Sequence, residues 1–122
     1  MKLCVIALII TSTLLLIHCT KDPYEIHMIF TSPSGQSMPH GGFYKIESTG
    51  DSIGMYGQTP NEYVYTLEHD DVMLGAYWKD TTEAQDTLHF ELYVNGEVKI
   101  NEYLTDPYQG GEFRVPEIGE EP

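Results

Sequence analysis

Cysteine is almost absent from this sequence. Of 122 residues only Cys4 and Cys19 are cysteines, and both lie near the front. The chain beyond them therefore has no disulfide staple and no thiolate metal site, and an oxidising compartment leaves it unchanged. Basic residues are scarce as well: six Lys+Arg face nineteen Asp+Glu, a formal net charge of −13. An acidity spread along the whole chain leaves no basic patch, so neither nucleic acid nor an anionic membrane surface is an expected partner. It reads instead as a solvated surface. No serine sits in a nucleophile elbow, and no glycine-rich loop leads into a helix to cradle a phosphate. These absences point away from an enzyme, and no cofactor or metal is expected. A helical period is missing everywhere after Cys19.

The front of the chain is different. Met1-Lys2 is a short positive start, and Leu3–Ile17 is apolar apart from Thr11, Ser12 and Thr13. A run of this length matches the ~7–15 residues of a secretory h-region and falls short of the ~17–25 residues of a spanning helix. Residues 1–18 are expected to be a signal peptide and 19–23 a tether. One domain is expected over 24–116, with 117–122 as an acidic tail that frays. A domain of this size buries a core without staples.

The stretch that organises the remainder is Leu88–Tyr103, LHFELYVNGEVKINEY. Leu88, Phe90 and Leu92 alternate with His89, Glu91 and Tyr93. A second alternation follows Asn95-Gly96, with Val98 and Ile100 against Lys99 and Asn101. Asn-Gly between two alternating runs is a hairpin signal. A two-residue loop would put Tyr93 opposite Val98 and mix the faces. A three-residue loop, Val94-Asn95-Gly96, puts Leu92 opposite Val98, Phe90 opposite Ile100 and Glu91 opposite Lys99. The expectation is that second register, with a type I turn and a left-handed Gly96 in a bulge.

Other strands are expected at Tyr24–Thr31, Gly42–Ser48, Ile53–Tyr56, Glu62–Leu67, Val72–Lys79 and Gly111–Val115. Gly, Pro, Asp and Ser-rich turns separate them. Ser32–Gly42 is expected to be a loop. Val72–Lys79 is apolar on both faces, as a central strand would be. Trp78 shares a face with Val72, Leu74 and Ala76, and is assigned to the core. The sum is all-β: one small antiparallel β-sandwich of about seven strands, immunoglobulin- or transthyretin-like.

Candidate chemistry is thin. His69-Asp70-Asp71 is the densest set of cation ligands, although a solvated turn accounts for it better. His89, Glu91 and Tyr93 share the outer hairpin face, and Glu25 with His27 repeats the pattern. Nine tyrosines and one tryptophan offer stacking surfaces for a sugar or a protein partner.

Leu16-Ile17-His18-Cys19 resembles a bacterial lipobox, in which the cysteine becomes the lipidated N-terminus; His18 departs from the small residue of the pattern. Thr20-Lys21-Asp22-Pro23 is similar to the tether after the cysteine in surface-exported Bacteroidetes lipoproteins. Tyr63–Thr66, Val72–Leu74, Leu92–Lys99 and Tyr108–Gly110 resemble small Bacteroidetes lipoproteins related in fold to the MmpS-type accessory proteins. The resemblance implies lipidation at Cys19 and a location at the outer membrane or cell surface. It also implies a non-enzymatic binding or accessory role, toward a protein or glycan partner, and carries over no binding residue. The alternative is a glycan-binding surface protein that uses exposed tyrosines.

Overall fold

The computed structural model describes residues 22–82 and 86–118, together with the backbone of Lys2–Leu8 and Leu15–Lys21. These two front segments pair with each other and with neither sheet of the domain. The expected signal segment and the Cys19 side chain therefore lie outside the residues whose side chains are described.

Nine strands follow, with no helix among the described residues. They are β1 (Tyr24–Thr31), β2 (Pro39–Ile46), β3 (Ser52–Gly54), β4 (Gly57–Gln58), β5 (Asn61–Leu67), β6 (Met73–Lys79), β7 (Leu88–Val94), β8 (Glu97–Leu104) and β9 (Gly110–Val115). One antiparallel sheet has the order β8-β7-β1-β5; the other has β9-β6-β2-β3, with β4 also on β2. The sheets pack face to face as a sandwich. The strand expected at Ile53–Tyr56 is β3, and the short β4 is the one not expected; both hold the far edge of β2.

Period-two burial builds the core. Ile26, Met28 and Phe30 of β1 are fully buried, as are Leu88 and Phe90 of β7. Facing them across the gap are Tyr44 and Ile46 of β2, Met73 and Tyr77 of β6, and Phe113 and Val115 of β9. Ring pairs join the two sheets. Tyr77 stacks on Phe90 at 3.9 Å and 13°, His40 on Phe30 at 4.0 Å and 13°, and Tyr44 tilts on Tyr65 at 5.5 Å.

Three expectations are corrected. First, the hairpin closes through the two-residue loop. Val94 pairs Glu97 and Tyr93 pairs Val98; a bulge at Lys99 then sets Ile100 opposite Leu92 and Asn101 opposite Glu91. Both Asn95 (φ 53°) and Gly96 (φ 80°) are left-handed, the primed geometry whose twist suits the flanking strands. The mixing of faces that argued against this loop is undone one residue later, because the extra residue of the bulge restores the inward phase. Val98 is consequently half-exposed, while Ile100 packs against the core. The turn is also fastened to β1: Glu25 N–H donates to Asn95 Oδ1 and Asn95 N–H donates to the Glu25 carbonyl.

Second, β6 buries Met73, Gly75, Tyr77 and Lys79 and turns Leu74, Ala76 and Trp78 outward, so Trp78 is not in the core. An apolar strand of this kind has no polar face to betray which side is inside; the neighbours decide. Third, β2 begins at Pro39 rather than Gly42, which shortens the loop before it and brings His40 into the sheet. The strand Tyr24–Thr31 is as expected.

The register has a direct check in urea denaturation. Val98→Thr is expected to change stability by less than about 0.5 kcal/mol, and Leu92→Ala to cost about 2–5 kcal/mol. Comparable losses for the two would return Val98 to the inner face.

Candidate functional site

The sandwich is open along one side. The two edge strands there, β8 and β9, belong to different sheets and are not paired with each other. Between them lies a cleft of about 440 Å³ whose walls include Leu92, Val94, Ile100, Phe113 and Val115. Tyr24, the first residue of β1, lines it, and Ile118 lies at its margin, 88% exposed. A mostly apolar hollow of this size with a few polar groups has the character of a small-molecule site.

Tyr77 supplies the polar part. Its ring is buried on Phe90 and its hydroxyl crosses to the other sheet, donating to Glu102 Oε1 at 2.8 Å. Gly111 makes this possible: a Cβ there would sit 2.5 Å from the Tyr77 hydroxyl. Burial raises the Tyr77 pKa far above its ordinary value, and the Glu102 hydrogen bond and charge push it further in the same direction. The phenol therefore remains a neutral donor. Glu102 pairs with the inward Phe90, so its carboxylate lies on the cleft side of β8. Lys99, Glu112, Arg114 and Glu117 complete the charged lining. Lys99 Nζ lies 3.3 Å from Glu97 Oε1, and the Arg114 guanidinium donates to the Pro116 carbonyl.

At the opposite end of the strands is a buried polar cluster. His40 (1% exposed) and Lys79 (0% exposed) sit opposite each other in the register of β2 and β6. Lys79 Nζ donates to the Thr105 carbonyl at 2.9 Å, a strap to the segment after β8. Asn61 Nδ2 lies 3.2 Å from His40 Nε2 and 2.9 Å from the Tyr63 hydroxyl, while His40 Nδ1 is buried without a hydrogen-bond partner. Desolvation lowers the His40 pKa, opposed by the Met55 backbone and the Asp80 charge.

The outer face of the β9-β6-β2-β3 sheet is aromatic. Trp78 lies against Gly41, where an added Cβ would be 2.3 Å from the indole Nε1. Phe43 and Tyr56 stand at 63° and 70° to the indole, with centroids 6.4 and 5.8 Å away. Tyr56 is 62% exposed. A shallow depression of about 490 Å³ beside them includes Trp78 and the exposed Tyr108.

The residues singled out from sequence do not converge. His69 stacks on Tyr24 at 5.3 Å, and Asp71 accepts from Ser48 and from the Val72 N–H. The Ser48 hydrogen bond, reinforced by the backbone donors, holds the Asp71 pKa below its ordinary value. Asp71 thus ties a turn. Among the described residues no group of three or more His, Cys, Asp or Glu is placed to hold a metal. His89, Glu91 and Tyr93 do share an outer face: Tyr93 donates to Glu91 at 2.5 Å, and the His89 ring stacks on Tyr103 at 4.1 Å. Glu91 is engaged there rather than by Lys99, which the bulge displaces. On β1, Thr66 donates to Glu25, and His27 lies 3.7 Å from Glu62. Sequence reasoning missed Tyr77 and Glu102. The signal for Glu102 was its place two residues after the inward Ile100, on the same face by strand alternation.

Compared with known proteins, the chain matches no family model, no curated protein and no solved structure. What holds of the resemblance read from the sequence is thus the architecture, a small all-β protein of two antiparallel sheets.

The buried histidine predicts a pH response. The unfolded chain takes up a proton at His40 near the ordinary pKa of about 6.5, whereas the folded chain resists it to lower pH. Stability is therefore expected to fall as pH drops below that value and to be level above it. Urea midpoints between pH 7.5 and 5.5 check this, and His40→Gln should remove most of the slope. An unchanged slope in the variant would assign it to other groups.

Proposed function

We propose that this chain is a non-enzymatic, lipid-anchored binding module that takes a small apolar or amphipathic ligand between its sheets. One observation carries the reading: an apolar cleft of about 440 Å³ at the side where β8 and β9 leave the sandwich open. Binding there needs no rearrangement of the core, because its walls are side chains already ordered by the two sheets. The anchor rests on the apolar Leu3–Ile17 run, which stops two residues before Cys19. Tyr24 lines the cleft and stands five residues after Cys19, a reach of at most about 18 Å. A lipid on Cys19 would thus hold the cleft close to the outer-membrane or cell-surface bilayer, where apolar ligands concentrate. A second reading, saccharide binding, is favoured by Trp78 lying on Gly41 between Phe43 and Tyr56, a stacking surface on the opposite side of the sheet.

Two measurements test these readings. Cys19→Ala is expected to move the protein out of the membrane fraction and to delete the lipid mass from the N-terminus; retention of both would end the anchor proposal. Fluorescence titration with the neutral dye N-phenyl-1-naphthylamine should show binding that Ile100→Glu weakens about tenfold or more, since the new carboxylate enters the apolar lining. Trp78→Ala should leave dye binding unchanged. Dye affinity insensitive to Ile100→Glu in a folded variant would contradict the cleft. Saccharide-array binding lost in Trp78→Ala would promote the second reading.

A further inference from the structure

The charges around the cleft say which end of an amphiphile faces outward. Three of its five charged lining residues are exposed carboxylates: Glu102 on the inner face of β8, Glu117 beyond the end of β9, and Glu112 at the outer rim, opposite the outward Ala76. The two cations are held from either side of the opening. Lys99 is ion-paired with Glu97, and Arg114 is turned back onto the Pro116 carbonyl of its own strand end. Glu112 and Glu117, by contrast, have no ion-pair partner among the described residues. Glu102 is fixed by Tyr77 through one of its oxygens, and an exposed carboxylate has further lone pairs to offer. The acidic chain adds to this potential, with a formal net charge of −13, and a partly enclosed opening of net negative charge concentrates cations.

We propose that the cleft selects an amphiphile with a cationic, hydrogen-bond-donating head, an alkyl ammonium, over one with an anionic head. This rests on the cleft being the binding site proposed above. The alkyl chain lies against Leu92, Ile100, Phe113 and Val115. The ammonium meets Glu102, whose orientation the Tyr77 hydroxyl fixes, with Glu112 and Glu117 adding charge. A carboxylate head would instead face a net negative surround, with Lys99 paired to Glu97 and Arg114 turned onto the Pro116 carbonyl. Because Tyr77 remains protonated, it orients Glu102 without adding a second negative charge.

The test uses three probes of equal chain length below their aggregation concentrations: dodecylammonium, dodecanol and laurate. Each is titrated into the full chain by calorimetry, with amide chemical shifts recorded in parallel. The expected result is binding of dodecylammonium at least tenfold tighter than laurate, dodecanol between them, and shifts centred on Leu92, Ile100 and Val115. Raising the salt should narrow the gap between the charged probes and leave dodecanol unchanged. A double variant, Glu102→Gln with Glu112→Gln, should lose most of the ammonium preference while keeping its dodecanol affinity. Equal affinities for all three probes, or tighter laurate binding, would overturn the head-group inference and leave the cleft standing. Shifts centred away from the cleft, or no binding of any probe, would overturn both.

Discussion

The stacking of Tyr77 on Phe90 is the contact on which the rest of the structure depends. It spans the gap between the sheets near the middle of β6 and β7, at a centroid distance of 3.9 Å. On one side of it the core continues through Phe90 to Phe30 and on to His40. On the other side the sandwich opens. The hydroxyl of the same tyrosine reaches Glu102 on the edge strand of the opposing sheet. One side chain therefore closes the core and floors the cleft. Aromatic pairs of this kind contribute about 0.5–1.5 kcal/mol beyond the area they bury. The energetic worth is modest; the geometric consequence, the spacing of the two sheets at the open side, is larger.

The structure is asymmetric as a result. One end of the strands is sealed by His40 and Lys79, taken inside, and by the half-buried Asn61, each held by a neighbour's carbonyl, ring or amide. The other end, where β1 begins, is left to Tyr24 and the apolar walls of the cleft. Burial of a lysine and a histidine is costly unless they are supported, so the sealed end is where the fold is most constrained. The open end is where a ligand can exchange with water without disturbing that support. The proposed module fits this division: a rigid end that sets the sheets, and an accessible end for binding beside the proposed anchor.

Much of the fold was legible because alternation is a local signal. In β1 the side chains Ile26, Met28 and Phe30 are buried as their spacing required, and in β7 so are Leu88, Phe90 and Leu92. The place of the turn at Asn95-Gly96 was legible too, but not its two-residue length. What could not be read was the bulge at Lys99, because a bulge is a relation between two strands and leaves no mark on either alone. Its position decided the facing of Val98 and Lys99, and so hid the place of Lys99 in the lining of the cleft. Trp78 failed for a related reason: β6 is apolar on both sides, and only the packing of Phe113 and Phe90 against Tyr77 settles which side is inner. The candidate site was illegible as a whole, since its apolar walls, though on the consecutive strands β7, β8 and β9, come together only across the edges of two different sheets.

The central claim is that Tyr77 and Phe90 are coupled across the sheets. A double-mutant cycle on Tyr77→Leu and Phe90→Leu, followed by urea denaturation, measures that coupling directly. The account predicts that the pair of substitutions costs less than the sum of the single ones by about 0.5–1.5 kcal/mol. Additivity within about 0.3 kcal/mol would mean that the rings do not touch, and the floor of the cleft would have to be drawn elsewhere.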